Sequence, residues 1–490
     1  MPVPVVTIAQ MREWENATWA SGQTEAEVIR QVGEKIARTA LGMTRPGDAI
    51  LILAGKGHNG DDARTAKEFL SDRRIFLLNA TDPVAALAEF QRRTGVPPVS
   101  DPFVSDGDRR DACPALIIDG LFGIGLNRVL DDRWQKFITK VNESKIPVLA
   151  VDVPSGLNAD SGQPQGAAIE AVVTLTVGAP KIGLLEPGAW PLVGRLEVAP
   201  DVGLIDCPHR GELNWTLPDD FAGFPPRRAV AGHKGSFGHL AIVAGSFGFH
   251  GAAVLAARGA QRAQPGLVTV YPQESIYHVV ASQLQAAMVN VWKPETKLPE
   301  SVNAVLIGPG LAAPEFVEEL KTMTRRMWRR LARDSFLPMV VDASALDWLV
   351  PHALAKNEIR VVTPHPGEAA RMLGKPAQQI QANRPQAVRE ISQRFGDCWV
   401  VLKGHQTLVG RSTGEIFVNS SGNPHLAQGG SGDVLAGFIA GLLAQPALQA
   451  DVGKTLRFAV WLHGATADAL QAARTNWVVE DLVAGLGQTG

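Results

Sequence analysis

Cysteine is scarce in this sequence: among 490 residues there are three, Cys113, Cys207 and Cys398, far apart and without CxxC spacing. That argues against a disulfide framework or a zinc site and makes a reducing cytoplasm the expected compartment. Excess charge is also lacking, since 47 Lys and Arg face 49 Asp and Glu. No net field recruits nucleic acid or an anionic membrane. The opening stretch, MPVPVVTIAQMREWENATW, has no basic segment followed by a long apolar run, so no signal peptide is expected. The longest weakly polar run, Val434 to Leu448, falls short of the roughly 20 residues a membrane span needs. A GxxxxGK[ST] motif is absent, which excludes a P-loop enzyme. Short-period repeats and low-complexity tracts are absent too.

What remains is the profile of a globular protein, 45% apolar and 20% charged, long enough for two large domains. Short apolar runs bounded by Gly, Asp and Pro predict strands at 49–55, 74–80, 115–120, 147–153 and 171–177, with helical stretches such as 61–70 and 132–143 between them. Such runs suit strands buried on both faces of a parallel sheet. A stretch rich in Pro, Arg and Gly (207–235) breaks the rhythm, which restarts at 239–245, 266–272, 303–310, 338–344, 359–365 and 398–404. The expected organisation is two α/β domains, 1–210 and 228–490, with a linker at 211–227. In open α/β sheets ligands sit beyond the carboxyl ends of the strands, and the unusual motifs of this chain fall there.

One of them is AQGGSGDVLAG (427–437). A Gly-rich loop entering a helix presents unpaired N–H groups and the positive end of the helix dipole, which suit a phosphate or a developing negative charge. Asp433 follows in the first turn, placed to take a proton from a hydroxyl held there. An anion hole beside a general base is what phosphoryl transfer to an alcohol requires; a tight turn with a helix-capping Asp is the plainer alternative. Nearby motifs strengthen the functional reading. KGHQT (403–407) offers Lys403 and Thr407 at a strand end, TPHPGE (363–368) fixes His365 between two prolines, and IGPGL (307–311) is a glycine turn allowing close backbone approach.

HKGSFG, GAAVLAARGA, GPGL, VVDASAL, TPHPGEAARML, LKGHQTLV, GNPHLAQGGSGDVLAG and WLHGATAD occur in the order seen in NAD(P)H-hydrate dehydratases, which this chain resembles from about residue 228 to 488. The resemblance implies a ribokinase-like α/β domain acting on NAD(P)HX, the form of NAD(P)H that carries water on the nicotinamide ring. The ring hydroxyl of the S epimer, the one epimer such a dehydratase accepts, would be phosphorylated by a nucleotide, and elimination of phosphate would restore NAD(P)H. Carried over by motif, Asp433 is the base and a substrate contact. Gly430, Ser431 and Gly432 form the anion hole, Lys403, Gly404, His405, Gln406 and Thr407 hold the nucleotide, and Ala253, Gly310 and His365 line the NAD(P)HX side. Mg²⁺ is expected with the nucleotide, and fusion to an N-terminal partner favours ADP over ATP. Two departures stand out: Ser344 in DAS (342–344), where a second Asp is usual, and Gln264-Pro265 where Gly or Ala is usual.

The first half ends three apolar runs in polar clusters, GKGHNGDD (55–62), DGLFGIGL (119–126) and DVPSGLN (152–158). Asn59, Asp119 and Ser155 offer oxygen ligands without a thiolate, a set suited to a hard cation or K⁺; ordinary strand-end turns are the alternative. With TLTVGAPKIGLLEPG (174–188), these clusters resemble NAD(P)H-hydrate epimerase over about residues 5 to 210. That implies a Rossmann-like three-layer domain interconverting R and S NAD(P)HX. Asn59, Asp119 and Ser155 would bind K⁺. His58, Asn59, Gly60, Asp61, Asp62, Gly123, Ile124, Gly125, Leu126, Asn127, Arg128, Val129 and Asp152 would contact substrate, and Asp152 or Lys181 would handle protons. The family loop is richer in glycine: here His58 replaces an Asn, and Asp61 and Ala63 each replace a Gly. Asp61 costs strain of about 1 kcal/mol if that position requires a positive φ. A homo-oligomer is also expected from the resemblance. Rival readings are a dehydratase carrying a degenerate N-terminal binding or scaffold domain, and a ribokinase-type small-molecule kinase.

Overall fold

The computed structural model describes residues 2–94, 113–312, 317–329, 337–351 and 358–488. The chain divides into two compact units, Val3–Gly211 and Glu212–Gly490, the second including Met1–Pro2. In the first unit, helices α1 (Ile8–Ala20) and α2 (Glu25–Met43) each begin at a threonine cap. Thr7 forms a capping box with Gln10, and Thr24 accepts from the Glu27 N–H. There follow β1 (Ala49–Ala54), α3 (His58–Ala66), β2 (Arg74–Asn79), α4 (Pro83–Thr94), β3 (Leu116–Gly120), α5 (Asp132–Glu143), β4 (Val148–Val151), β5 (Val173–Val177) and β6 (Arg195–Ala199).

These strands form a six-stranded parallel sheet in the order β2-β1-β3-β4-β5-β6. Side chains alternate between the faces of a strand. Ile50, Ile52 and Ala54 therefore pack with Val32, Ile36 and Ala40 of α2 and with Ala63 and Ala66 of α3. Leu51 and Leu53 pack on the other face with Phe90 of α4 and with Phe137, Ile138 and Val141 of α5. Three layers result. The order in which strands are added reverses between β1 and β3, which places a crevice beyond the carboxyl ends of those two strands.

The second unit contains β7 (Leu213–Trp215), β8 (His239–Val243), α6 (His250–Arg262), β9 (Leu267–Tyr271), β10 (Met288–Val289), β11 (Ala304–Ile307), α7 (Val317–Trp328), β12 (Met339–Val341), β13 (Arg360–Val362), α8 (Pro366–Leu373), α9 (Ala377–Ala382), α10 (Arg384–Arg394), β14 (Trp399–Leu402), β15 (Leu408–Gly410), β16 (Ile416–Val418), α11 (Ser431–Leu443), α12 (Val452–Ala473) and α13 (Val479–Gly485). Its sheet runs β7-β16-β15-β14-β13-β12-β11-β8-β9-β10. The pairs from β14 to β10 are parallel, while β15 pairs antiparallel with both β14 and β16. The core joins Leu240, Ile242, Leu306, Val340, Val361 and Val401 of the sheet to α6, α11 and α12.

Helices α6 and α11 approach unusually closely. A Cβ on Gly437 would stand 1.9 Å from the Ala256 carbonyl, and one on Gly259 would stand 2.3 Å from the Val434 carbonyl. Part of the glycine content of the 427–437 motif therefore serves helix packing.

The apolar runs overshoot the strands by one to a few residues, because the turns that follow are buried as well. The run 338–344, for instance, leaves the sheet after Val341. Within the 211–227 stretch read as a linker, Leu213–Trp215 form β7 and pair with β16, so these residues belong to a sheet rather than to a free connection. Helix α3 begins at His58, three residues ahead of the expected 61–70 helix, and ends in a 3-10 turn at Lys67–Phe69.

Candidate active sites

In the second unit, Gly430 caps α11 at a φ of +95°, which glycine adopts without strain. Ser431, Gly432 and Asp433 open the helix, so its positive dipole end belongs to these residues; the Ser431 N–H is taken by the Gln428 carbonyl at 3.3 Å, which leaves the Gly432 and Asp433 N–H groups at the helix end. The loop is fixed from two sides. The Ser431 hydroxyl donates to the Leu426 carbonyl at 2.8 Å, and the Ser431 carbonyl meets His463 Nε2 at 3.1 Å. Burial pushes the His463 imidazole down to about 4, so the ring is neutral and Nε2 carries the proton that the carbonyl accepts.

Three acidic groups surround one lysine beside this helix end. Lys403 Nζ donates to Asp342 Oδ1 at 2.8 Å and lies 3.8 Å from Glu368 Oε2, and a Cβ on Gly432 would stand 3.5 Å from it. Thr363 donates to the same Asp342 oxygen at 2.7 Å. Burial, then Asp342 and Glu368, push Asp433 up to about 7, with Lys403 pulling the other way. Burial alone would lower Lys403, but Asp342 and Glu368 raise it. The site thus holds a cation and a carboxylate poised near neutrality, as a general base requires.

The 403–407 loop leaves β14 with Gly404 at φ +128° and Gln406 at φ +51°, and the Thr407 hydroxyl donates to the Gly404 carbonyl at 3.0 Å. Arg384, at the start of α10, donates to the carbonyls of Leu402 at 3.2 Å, Lys403 at 3.4 Å and His405. His405 lies in that loop, its imidazole lowered by burial and by Arg384. His365 is the N-cap of α8: its Nδ1 accepts from the Gly367 and Glu368 N–H groups at 3.0 and 3.4 Å, while its own N–H donates to Glu368 at 2.7 Å. Gly310 turns at φ +66° against the Phe249 carbonyl, and its own carbonyl accepts the Ser246 hydroxyl at 2.6 Å. Ala253 is fully buried beneath the glycine turn at Gly245. The departure at Gln264 has a structural counterpart, a left-handed φ of +60°.

In the first unit a cavity of about 710 Å³ opens beyond β1 and β3. Of the residues expected to contact substrate, His58, Asn59, Asp62, Gly123 to Arg128 and Asp152 line it; Gly60, Asp61 and Val129 do not. Gly60 is pressed against Gly55, Asp61 pairs with Arg64 at 2.7 Å, and Val129 is exposed. Asp61 is helical and has no positive φ, so the strain expected from losing a glycine there does not arise. Ala63 packs in the core against Gly120.

Asp152 sits at φ +62° at the cavity wall, and its Oδ1 accepts from Lys181, from Thr176 Oγ1 at 3.1 Å and from the Val177 N–H at 3.0 Å. Lys181 is fully buried behind Asp152 rather than in the cavity lining. Two further acids line the same cavity. Burial, then Asp152, raises both Glu15 and Asp62, the latter well above the usual carboxylate range.

Asn59, Asp119 and Ser155 do come together. Ser155 donates its N–H and its hydroxyl to the two Asp119 oxygens at 2.8 and 2.6 Å, and its Oγ accepts from the Phe122 N–H at 2.8 Å. Asn59 donates to the Phe122 carbonyl at 3.1 Å. Burial pushes Asp119 up to about 6; only hydrogen bonds from Ser155 and Leu121 oppose it, with no cationic side chain taking part. A fully buried carboxylate of this kind, among oxygen ligands, fits a bound hard cation.

Comparison with known proteins shows the family of the chain. The family model described as NAD(P)H-hydrate dehydratase matches residues 240–485, and the one described as YjeF-related protein N-terminus matches residues 25–183. The bifunctional NAD(P)H-hydrate repair enzyme Nnr of Coxiella burnetii is 32% identical over 94% of this chain and 93% of its own length. That of Gloeobacter violaceus is 34% identical over 99% and 96%. This chain belongs to the bifunctional NAD(P)H-hydrate repair enzymes. Its N-terminal half is the epimerase part and its C-terminal half the dehydratase part. A Bacillus subtilis ADP/ATP-dependent NAD(P)H-hydrate dehydratase, crystallised with ATP and Mg²⁺, is 31% identical and aligns with 54% of this chain and 92% of its own at a TM-score of 0.47.

Sequence reading of this repair enzyme left out Glu15, Arg64, Asp342, Glu368, Arg384 and His463. Glu368 stood inside the quoted TPHPGE, Asp342 inside VVDASAL and His463 inside WLHGATAD, so the motif order carried a signal for these three. Arg64 and Arg384 are helix residues whose partners are set only by the tertiary fold. No local pattern marks them.

Proposed function

We propose that Asp433 takes the proton of the NAD(P)HX ring hydroxyl while that oxygen attacks the terminal phosphorus of ADP. The new O–P bond forms as the bond to AMP breaks. Loss of phosphate from one ring carbon and of a proton from its neighbour then restores the double bond of NAD(P)H. The observation that carries this reading is the carboxylate raised to about 7 at the mouth of α11, beside Lys403 and the Gly430–Gly432 turn. The helix N–H groups and Lys403 hold the transferring phosphoryl group, and the 403–407 loop seats the nucleotide. Asp342 and Glu368 supply hard carboxylate oxygens that fit a Mg²⁺ carried by the nucleotide, which would neutralise phosphate charge.

In the first unit, R and S NAD(P)HX bind in the cavity with the hydroxyl-bearing carbon near Asp152. Lys181, Thr176 and Val177 engage Asp152 Oδ1, leaving Oδ2 for proton exchange with the substrate. K⁺ is held by Asn59, Asp119 and Ser155, where it meets the buried carboxylate charge and stiffens the wall carrying Phe122. The location is cytoplasmic, supported by the three free thiols, and a homo-oligomer is expected from the family resemblance.

The dehydratase reading is tested by the pH profile of S-NADHX turnover with Mg²⁺ and ADP. A base is active when deprotonated, so kcat/KM rises about tenfold per pH unit below the Asp433 value of about 7 and levels above it. Asp433→Asn lowers kcat by about two to four orders of magnitude and abolishes that limb. A variant that keeps the wild-type rate and profile contradicts the assignment.

A further inference from the structure

Arg64 lies on α3 outside the cavity lining, yet its guanidinium reaches three segments around the cavity mouth. Nη1 meets Asp61 Oδ1 at 2.7 Å in the first turn of α3, Nε donates to Asn79 Oδ1 at 2.9 Å at the end of β2, and Nη2 donates to the Gly55 carbonyl just after β1. Gly55, Lys56, Gly57 and His58 form one stretch of the cavity wall, and Ala80 and Thr81, which follow Asn79, form another. A Gly-Lys-Gly turn has almost no side chain with which to anchor itself, so its course depends on its backbone hydrogen bonds.

At Gly55 two such bonds are present: its N–H donates to the Gly120 carbonyl at 2.9 Å and its carbonyl accepts from Arg64. Space there is nearly closed. A Cβ on Gly55 would fall 2.0 Å from the Leu121 carbonyl, and one on Gly60 would fall 2.3 Å from the Gly55 carbonyl. A small rotation of the Gly55 peptide therefore displaces Gly60 and Leu121, the neighbours of Asn59 and Asp119.

We propose that Arg64 is a positioning residue for the epimerase half, holding the Gly55–His58 wall and the Asn79–Thr81 wall at the spacing NAD(P)HX requires, with Asp61 holding the guanidinium in place. The inference rests on the epimerase reading of this cavity. A planar guanidinium can serve three acceptors in fixed directions, which a lysine ammonium on one stem cannot. The pair is also half-exposed, with side-chain exposures of 30% for Arg64 and 46% for Asp61. Ion pairs in that setting add little stability, so the role is geometric. Asp61, which looks like damage to a glycine-rich loop, is on this view part of a substitute for it, together with Arg64.

The test uses the full-length protein and NADHX enriched in the R epimer, without nucleotide, with the two epimers separated chromatographically over time. Arg64→Met raises KM about tenfold, leaves kcat within about threefold and leaves the unfolding midpoint within about 2 °C; Arg64→Lys falls between it and the wild type, and Asp61→Asn, whose amide oxygen still accepts, changes KM least. Dehydration of S-NADHX with Mg²⁺ and ADP in the same preparations reports that the chain is folded. An Arg64→Met KM within about twofold of wild type overturns the proposal. So does a joint loss of KM, kcat and midpoint that Arg64→Lys fails to repair, since that describes a merely structural residue. A wild-type chain that dehydrates S-NADHX but leaves the R epimer at its spontaneous rate overturns the epimerase reading, and this proposal with it.

Discussion

Asp119 is a residue whose environment demands a partner. Its folded-state pKa of about 6 lies above the ordinary carboxylate value, so the folded chain binds a proton there more readily than the unfolded chain. Stability from this group is then present at low pH and lost as pH rises through about 6. A cation bound by Asn59, Asp119 and Ser155 offsets that loss, because it stabilises the charged form. Exchanging Na⁺ for K⁺ at about pH 7.5 should raise the unfolding midpoint by a few degrees, and by less at about pH 5, where Asp119 is mostly protonated. Asp119→Asn should abolish the difference. An equal response to both ions, in wild type and variant, would remove the support for a K⁺ site.

At the scale of elements, the contact between α6 and α11 ties fold to chemistry. Gly259, Ala260 and Gly441 let the two backbones meet, and Gly437 lies against the Ala256 carbonyl. Gly437→Val forces the helices apart and moves the helix that carries Asp433. It should destabilise the second unit by at least about 3 kcal/mol, the upper range of overpacking, as measured by denaturant unfolding. Gly429→Ala is the control, since nothing lies within 4 Å of a Cβ there. If Gly437→Val folds as stably as that control, the close approach is not what fixes the glycine.

Much of the sheet architecture was legible from sequence because strands buried on both faces are written as unbroken Val, Ile and Leu runs. The short antiparallel strands β15 and β16 and the strand β7 were not legible. At three residues each they carry too few side chains to show a period, and β7 is set by pairing with a segment some 200 residues later. Asp61 misled for a related reason. A glycine motif suggests left-handed backbone, but whether a glycine serves φ or close approach is decided by what packs against it. At Gly60 it is the Gly55 carbonyl.

For the whole molecule, the chemistry of the two units is complementary. A dehydratase that accepts one epimer strands the other, and an epimerase on the same chain returns it to use. The measurement that tests this most directly is recovery of NADH absorbance from an equilibrated mixture of R and S NADHX with Mg²⁺, K⁺ and ADP. The account predicts that the whole pool recovers rapidly, with no residual phase at the spontaneous epimerisation rate, because the His58–Asp62 loop is helical and unstrained and Asp152 faces an open cavity. A fast phase limited to the S fraction, followed only by the slow spontaneous rate, would contradict it.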